Sequence, residues 1–372
     1  MFDRYLSNVS VGTQANYILE FDAPKRFVAR SYFKPEVSGK YNWRFYFQNT
    51  VDSTYDHGDV AYRGKSGGDW KILSAKLALG GQIEGLAVSC GELTDITPVT
   101  FDGQNSRTVK PDERFWSDEV VFDAKEGQYI VWEWEIEGSG IPCTPDSQIP
   151  AFMDYGDGFA ADDFCPKPML FGCDRKAKKR IAFLGDSITQ GCGTTPNGYD
   201  MWAAQIAKML QPEYAVWNLG LGWGRAADFA ANEAWSFKAM QNDIVIMTFG
   251  VNDILHGPYQ GQRSATAGEV VETLEHNIRL LQKAGVTVIL STLPPFAFSE
   301  AECREWRAVN MAIPSIAAMY GCRVFDIESA LDGTANLGND FSAYGAHPDG
   351  NGGAAAAKAF YRRFHTADGW AL

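Results

Sequence analysis

The stretch RIAFLGDSITQGCG, residues 180–193, runs an apolar segment straight into Gly-Asp-Ser and then a polar, glycine-rich turn. A short run that is apolar at consecutive positions suits a strand buried on both faces, the kind found in parallel sheets. The pattern repeats downstream. A helical YDMWAAQIAKML (199–210) follows, then strand-like AVWNLG (215–220), a helix near 226–240 and strand-like DIVIMTFG (243–250). A helix near 267–284, strand VTVILST (286–292), a helix near 299–320, strand CRVFDI (322–327) and a last helix from about 352 complete the series. Apolar strands alternating with amphipathic helices predict a three-layer α/β/α, flavodoxin-like domain over residues 178–372, with about five parallel strands.

Residues 1–170 have another period. NYILEF, RFVARSYF, YNWRFYFQNT, DWKILSAKLAL, EGLAVSCGEL, TPVTF, EVVFDA and QYIVWEWEIEG are short segments separated by Gly, Asp, Asn and Pro. Their aromatic and β-branched content predicts an all-β domain of jelly-roll or sandwich type. The basic run DRKAKKR (174–180) between the halves reads as a solvated linker.

Composition narrows the function. Hydrophobic residues make up 45% and charged residues 21%, a soluble globular profile. A formal net charge of -13 argues against nucleic acid, which needs clustered Lys and Arg. No apolar run approaches the roughly 20 residues that span a bilayer, so no membrane partner is expected. The opening MFDRYLSNVSVGTQ lacks the order of a secretory signal, and a cytoplasmic protein is expected. Seven cysteines, an odd number, suggest free thiols, and no Cys/His spacing suits zinc. The 11 Trp fit either large cores or an exposed platform for sugars.

The chemistry should lie where open α/β sheets place ligands, at the C-terminal ends of the strands. There the chain carries Gly185-Asp186-Ser187, NLGLGWG (218–224), GVND (250–253) and, before the last helix, YGAHPDGNGG (344–353). A serine hydroxyl needs a base to become a nucleophile, and His347 can supply one. Attack on an ester creates an oxyanion that needs preorganised donors. The N–H groups of Ser187 and of the glycine-rich loop, with the Asn252 amide, offer them.

The combination GDSIT, NLGLG, GVND and HP resembles the SGNH, or GDSL-type, hydrolases. That resemblance implies Ser187 as nucleophile, Asn252 as an oxyanion donor and His347 as general base, with no cofactor and no metal. The N-terminal half resembles, more loosely, the β-sandwich that precedes the catalytic domain in some bacterial two-domain carbohydrate esterases. The family usually reads D-x-x-H-P, and Tyr344 stands here in place of the Asp. A main-chain oxygen is expected to orient His347, with Asp340, Asp349 and Tyr344 as other groups within reach. The family's oxyanion loop often reads N-x-G-x-G-G; Trp223 falls at its last Gly, and Gly222 is the donor if the register shifts by one.

Trp223 and Asp186 are the residues nearest a bound substrate, although Asp186 also suits a role in tying its own loop together. Cys192 is a small filler or an oxidation-sensitive neighbour of Ser187. His57, His256, His276 and His365 carry no motif. Three functions remain open: a serine esterase for short acyl esters, acetyl above all, on a small-molecule or oligosaccharide substrate; a lipid or thioester acyl hydrolase; and a carbohydrate-binding protein that has lost catalysis.

Overall fold

The computed structural model describes residues 1–372 except 53, 57–58, 62–64, 82–89, 145–147, 256–263, 334–336 and 339. Most of the segment EGLAVSCGEL, together with His57 and His256, therefore lies outside the described residues.

Before Ser187 no helix occurs among the described residues. One antiparallel sheet orders Leu6–Ser7, Leu170–Cys173, Gly39–Gln48 and Arg114–Trp116, with Val120–Ala124 also paired to Gly39–Gln48. A second orders Ala160–Ala161, Ala151–Asp154, Lys25–Phe33, Tyr129–Gly138, Trp70–Gly80 and Leu93–Val99, with Arg107–Val109 on Trp70–Gly80. The two meet through aromatic rings. Phe45 lies 4.6 Å from Trp132, and Phe33 lies 4.0 Å from Phe171. Alternation along each strand sends these large side chains inward, the arrangement of a β-sandwich. Trp43, Trp70, Trp132 and Trp134 are buried here, so much of the tryptophan content is core.

From residue 179 the chain builds five parallel strands, numbered within this layer: β1 (Lys179–Gly185), β2 (Tyr214–Asn218), β3 (Ile244–Thr248), β4 (Thr287–Ser291) and β5 (Arg323–Phe325). Their order is β2-β1-β3-β4-β5, the flavodoxin-like order. The helices are α1 (Ser187–Gln190), α2 (Trp202–Leu210), α3 (Ala226–Ala231), α4 (Glu233–Ala239), α5 (Val251–Ile254), α6 (Ala267–Lys283), α7 (Glu300–Tyr320), α8 (Ile327–Ala330) and α9 (Gly350–Phe364). Helix α2 packs on α9, while α3, α6 and α7 pack in sequence, which places helices in two groups about the sheet.

The long helices start where the sequence supplies caps. Thr266 with Glu269 and Ser299 with Glu302 form capping boxes that satisfy free N–H groups at the first turns of α6 and α7. The single helix expected near 226–240 is two. Asn232 breaks it by turning its side chain to accept from the N–H groups of Ala234 and Trp235, starting α4 afresh.

The halves are joined by buried polar contacts. Lys238 on α4 pairs with Asp52 at 2.5 Å, both fully buried, and also donates to Gln14. Trp217 Nε1 donates to the Met169 carbonyl at 3.0 Å. All seven cysteines are free thiols. No helix among the described residues is long and apolar enough to cross a membrane.

Candidate active site

In the order β2-β1-β3 the chain leaves β1 first toward one edge and later toward the other, which opens a crevice beyond the ends of β1 and β3. Ser187 follows β1 and Asn252 follows β3, so both reach that crevice.

The turn after β1 is built by close approach. A Cβ on Gly185 would come within 2.2 Å of Thr189 Oγ1 and 2.7 Å of the Thr248 carbonyl, so only glycine lets β1, β3 and α1 meet there. Asp186 caps α1, its carboxylate accepting from the Ile188 N–H at 2.9 Å. Asp186 is only 1% exposed and does not border the crevice, which corrects the expectation that it touches substrate. Burial pushes its carboxyl up to about 7.

The capped turn presents Ser187 Oγ 2.8 Å from His347 Nε2. On the other side of the ring, the Tyr344 hydroxyl hydrogen-bonds His347 Nδ1. The expectation of a main-chain oxygen is thus corrected: a phenol occupies that place. Neither nearby carboxylate does. Asp349 caps α9, accepting from the N–H groups of Asn351 and Gly352 at 2.8 and 3.0 Å, and Asp340 is exposed with no hydrogen bond to the ring. The i, i+3 spacing of Tyr344 and His347 in a tight loop allows the phenol to curl back to the ring.

The imidazole is mostly enclosed. Phe296 packs edge-on, ring centres 5.1 Å apart. Burial pushes the His347 pKa down to about 4, because a cation there loses hydration and no carboxylate touches the ring to offset the loss.

The glycine-rich loop after β2 is tied to α1 and to Asn252. Asn218 Nδ2 donates to the Thr189 carbonyl at 3.0 Å, and Asn218 Oδ1 accepts from the Gly220 N–H at 2.8 Å. Asn252 Nδ2 donates to the Gly224 carbonyl at 3.1 Å, which leaves the amide a second N–H. Trp223 sits at φ +64, a left-handed conformation that glycine adopts freely and tryptophan does not. Gly222 and Trp223 both border the crevice. Asp253 faces inward, accepting from the N–H groups of Ala226 and Ala227 at the start of α3, and burial pushes its carboxyl up to about 6.

The crevice is a cavity of about 790 Å³, and part of it was not foreseen from sequence. Besides Ser187, Cys192, Gly222, Trp223, Asn252, Tyr344 and His347, it is bordered by Leu255, Phe296 and, from the N-terminal half, Gln148–Phe152, Ala161 and Asp163. Phe296 could have been found, since TLPPF (292–296) follows β4 at the same end of the sheet. Gln148–Phe152 carries no motif. His276 is exposed on α6, and His365 stacks on Tyr361 at 4.5 Å, both apart from the cavity. Among the described residues no group of three or more His, Cys, Asp or Glu is arranged to hold a metal ion.

Residues 183–355 match the GDSL-like lipase/acylhydrolase family. No curated protein matches the chain. Among solved structures, a putative GDSL-like lipase from Parabacteroides merdae is similar at 19% identity, covering 50% of this chain and 96% of its own, with a TM-score of 0.42. A mutant of Axe2, an acetyl-xylooligosaccharide esterase from Geobacillus stearmophilus, is similar at 21% identity, covering 51% and 95%, with a TM-score of 0.42. All four motifs, GDS, NLGLG, GVND and HP, fall inside the matched stretch. Residues 183–355, the stretch that carries Ser187, Asn252 and His347, are thus those of a GDSL-like lipase/acylhydrolase domain.

Proposed function

We propose that the protein is a serine esterase that hydrolyses short-chain acyl esters, acetyl above all, carried by a carbohydrate. The observation that carries this reading is the 2.8 Å contact between Ser187 Oγ and His347 Nε2, both bordering the crevice. His347 takes the hydroxyl proton as Ser187 attacks the acyl carbonyl, then gives it to the leaving alcohol. The N–H groups of Ser187 and of the 222–223 loop, with the Asn252 amide, hold the oxyanion. Water repeats the sequence on the acyl-enzyme, and the acid departs. Tyr344 orients the ring by accepting from Nδ1–H. A phenol accepts without a full charge, so it selects the productive tautomer less firmly than a carboxylate would.

In this reading residues 1–170 form a jelly-roll-like accessory domain and residues 178–372 the catalytic domain. Apolar groups bordering the cavity, Leu255 and Phe296 among them, also favour a second reading, a lipid or thioester acyl hydrolase. Activity rising from acetate to octanoate esters would select it. The Ser187–His347 contact weighs against a binding protein that has lost catalysis. The direct test is Ser187→Ala: turnover of 4-nitrophenyl acetate should fall by about a thousandfold or more. Undiminished turnover would end the proposal.

A further inference from the structure

We propose that the N-terminal segment Gln148–Phe152, with Asp163 at its rim, is the alcohol-side subsite of this active centre and recognises a hydroxylated leaving group. The proposal rests on the esterase reading above, in which the leaving oxygen takes its proton from His347 Nε2. That requirement fixes which side of Ser187 the alcohol occupies: the His347 side, away from Asn252 and the 222–223 loop.

The loop 191–197 lies on that side. Gly193, at φ +88, passes so close that a Cβ there would stand 2.6 Å from His347 Cβ. The same loop binds the N-terminal half. Thr194 Oγ1 donates to Gln148 Oε1 at 3.3 Å, and the Asn197 N–H donates to the Gln148 carbonyl at 2.9 Å. Gln148 and the residues after it therefore border the cavity next to the proton donor.

This wall is held from behind. The Pro150 carbonyl accepts from the Tyr32 N–H at 3.0 Å, and Ala151–Asp154 pairs with Lys25–Phe33 in the sandwich. Lys34 Nζ donates to the Asn197 carbonyl at 2.7 Å. A specificity surface works best on such fixed backbone.

Its chemistry suits a polyol. The Gln148 amide nitrogen makes no hydrogen bond among the described residues, and the amide oxygen shares the Thr194 hydroxyl with the Gly191 carbonyl, so the group has hydrogen-bonding capacity to spare. The Asp163 carboxylate stands exposed, two residues beyond Ala161, whose strand pairs with Phe152. A carboxylate and an amide bordering one cavity match hydroxyls, which both donate and accept. Pro150 and Phe152 add the apolar surface that the C–H face of a sugar ring requires.

The test compares glucose 6-acetate with cyclohexylmethyl acetate, which share the acyl group and a primary leaving oxygen but differ in the ring hydroxyls. Wild type should show the higher kcat/KM for glucose 6-acetate. Gln148→Ala and Asp163→Asn should each lower the ratio of the two kcat/KM values about tenfold, the loss of one hydrogen bond to substrate. Asp163 is exposed, so its variant tests the subsite even if Gln148→Ala unsettles the loop. Equal losses on both esters would mean a merely structural wall and overturn the proposal, as would a wild-type preference for the cyclohexylmethyl ester or none at all. Turnover of both esters surviving Ser187→Ala would instead remove the esterase reading, a distinct outcome that takes the subsite with it.

Discussion

Replacing Tyr344 separates what a phenol and a carboxylate do for the same imidazole. Burial holds His347 near 4 against an ordinary value of 6.5, a gap of about 2.5 units. At 1.36 kcal/mol per unit, the imidazolium is disfavoured here by about 3 kcal/mol relative to water. In the proposed mechanism that cation is the species formed when Ser187 gives up its proton, so the same cost sits on the acylation barrier. The sign for pH follows. The base must be neutral, so kcat/KM should stay flat as pH falls from 8 to about 5 and drop through a midpoint near 4.

Tyr344→Asp puts an anion against Nδ1. Position 344 is 60% exposed, so water screens the new charge, and a rise of about 1–2 units is reasonable. The acid limb should then move to about 5–6, and kcat at pH 8 should rise about tenfold as the anion offsets part of the imidazolium cost. Tyr344→Phe removes the hydrogen-bond partner and leaves Nδ1–H unpaired, costing about 1–3 kcal/mol, or roughly 5- to 150-fold in kcat with KM little changed. Initial rates on 4-nitrophenyl acetate from pH 3.5 to 8 test all three enzymes. A wild-type limb at 6.5 or above would refute the burial argument. A Tyr344→Phe enzyme with unaltered kcat, or a Tyr344→Asp limb that stays in place, would refute the role given to residue 344.

Trp223→Gly relieves a left-handed tryptophan, worth about 1–2 kcal/mol of strain, while removing a ring that borders the oxyanion side of the cavity. The hexanoate-to-acetate ratio of kcat/KM should rise about tenfold with little loss of Tm; an unchanged ratio would show that the ring does not limit the acyl chain. Lys238→Met leaves Asp52 buried without its cation and should cost about 3–5 kcal/mol in denaturant unfolding, while adding Asp52→Asn should recover part of that loss. A Lys238→Met protein as stable as wild type would show that the pair does not hold the halves together.

What was legible in the sequence was local. The five strands of the parallel sheet are apolar at consecutive positions, and caps such as Thr266 and Ser299 stand beside the helices they start. The broken helix at Asn232 was missed because AADFAANEAWSFKA keeps a helical period across the break. Only the competing side-chain bond from Asn232 to the next turn shows it. The partner of His347 was misjudged for a chemical reason. By acceptor strength a phenol stands below a main-chain oxygen, yet three residues of loop bring the Tyr344 hydroxyl to the ring.

The wall at Gln148–Phe152 illustrates a deeper limit. A nucleophile, its base and its oxyanion donors each need a particular backbone turn, so they leave glycines, caps and fixed spacings behind them in the chain. A wall needs only shape and a few polar atoms at the right place, and many sequences provide those. Gln148 reaches the cavity because its carbonyl holds Asn197 and because Pro150 is held by Tyr32, two contacts that span distant parts of the chain. On the proposed reading, the reaction is written in motifs, whereas the choice of ester is written in the packing of one half against the other. Families of this kind should accordingly diverge in substrate while their four motifs stand still, and exchanging only the N-terminal half between two members should carry alcohol preference with it.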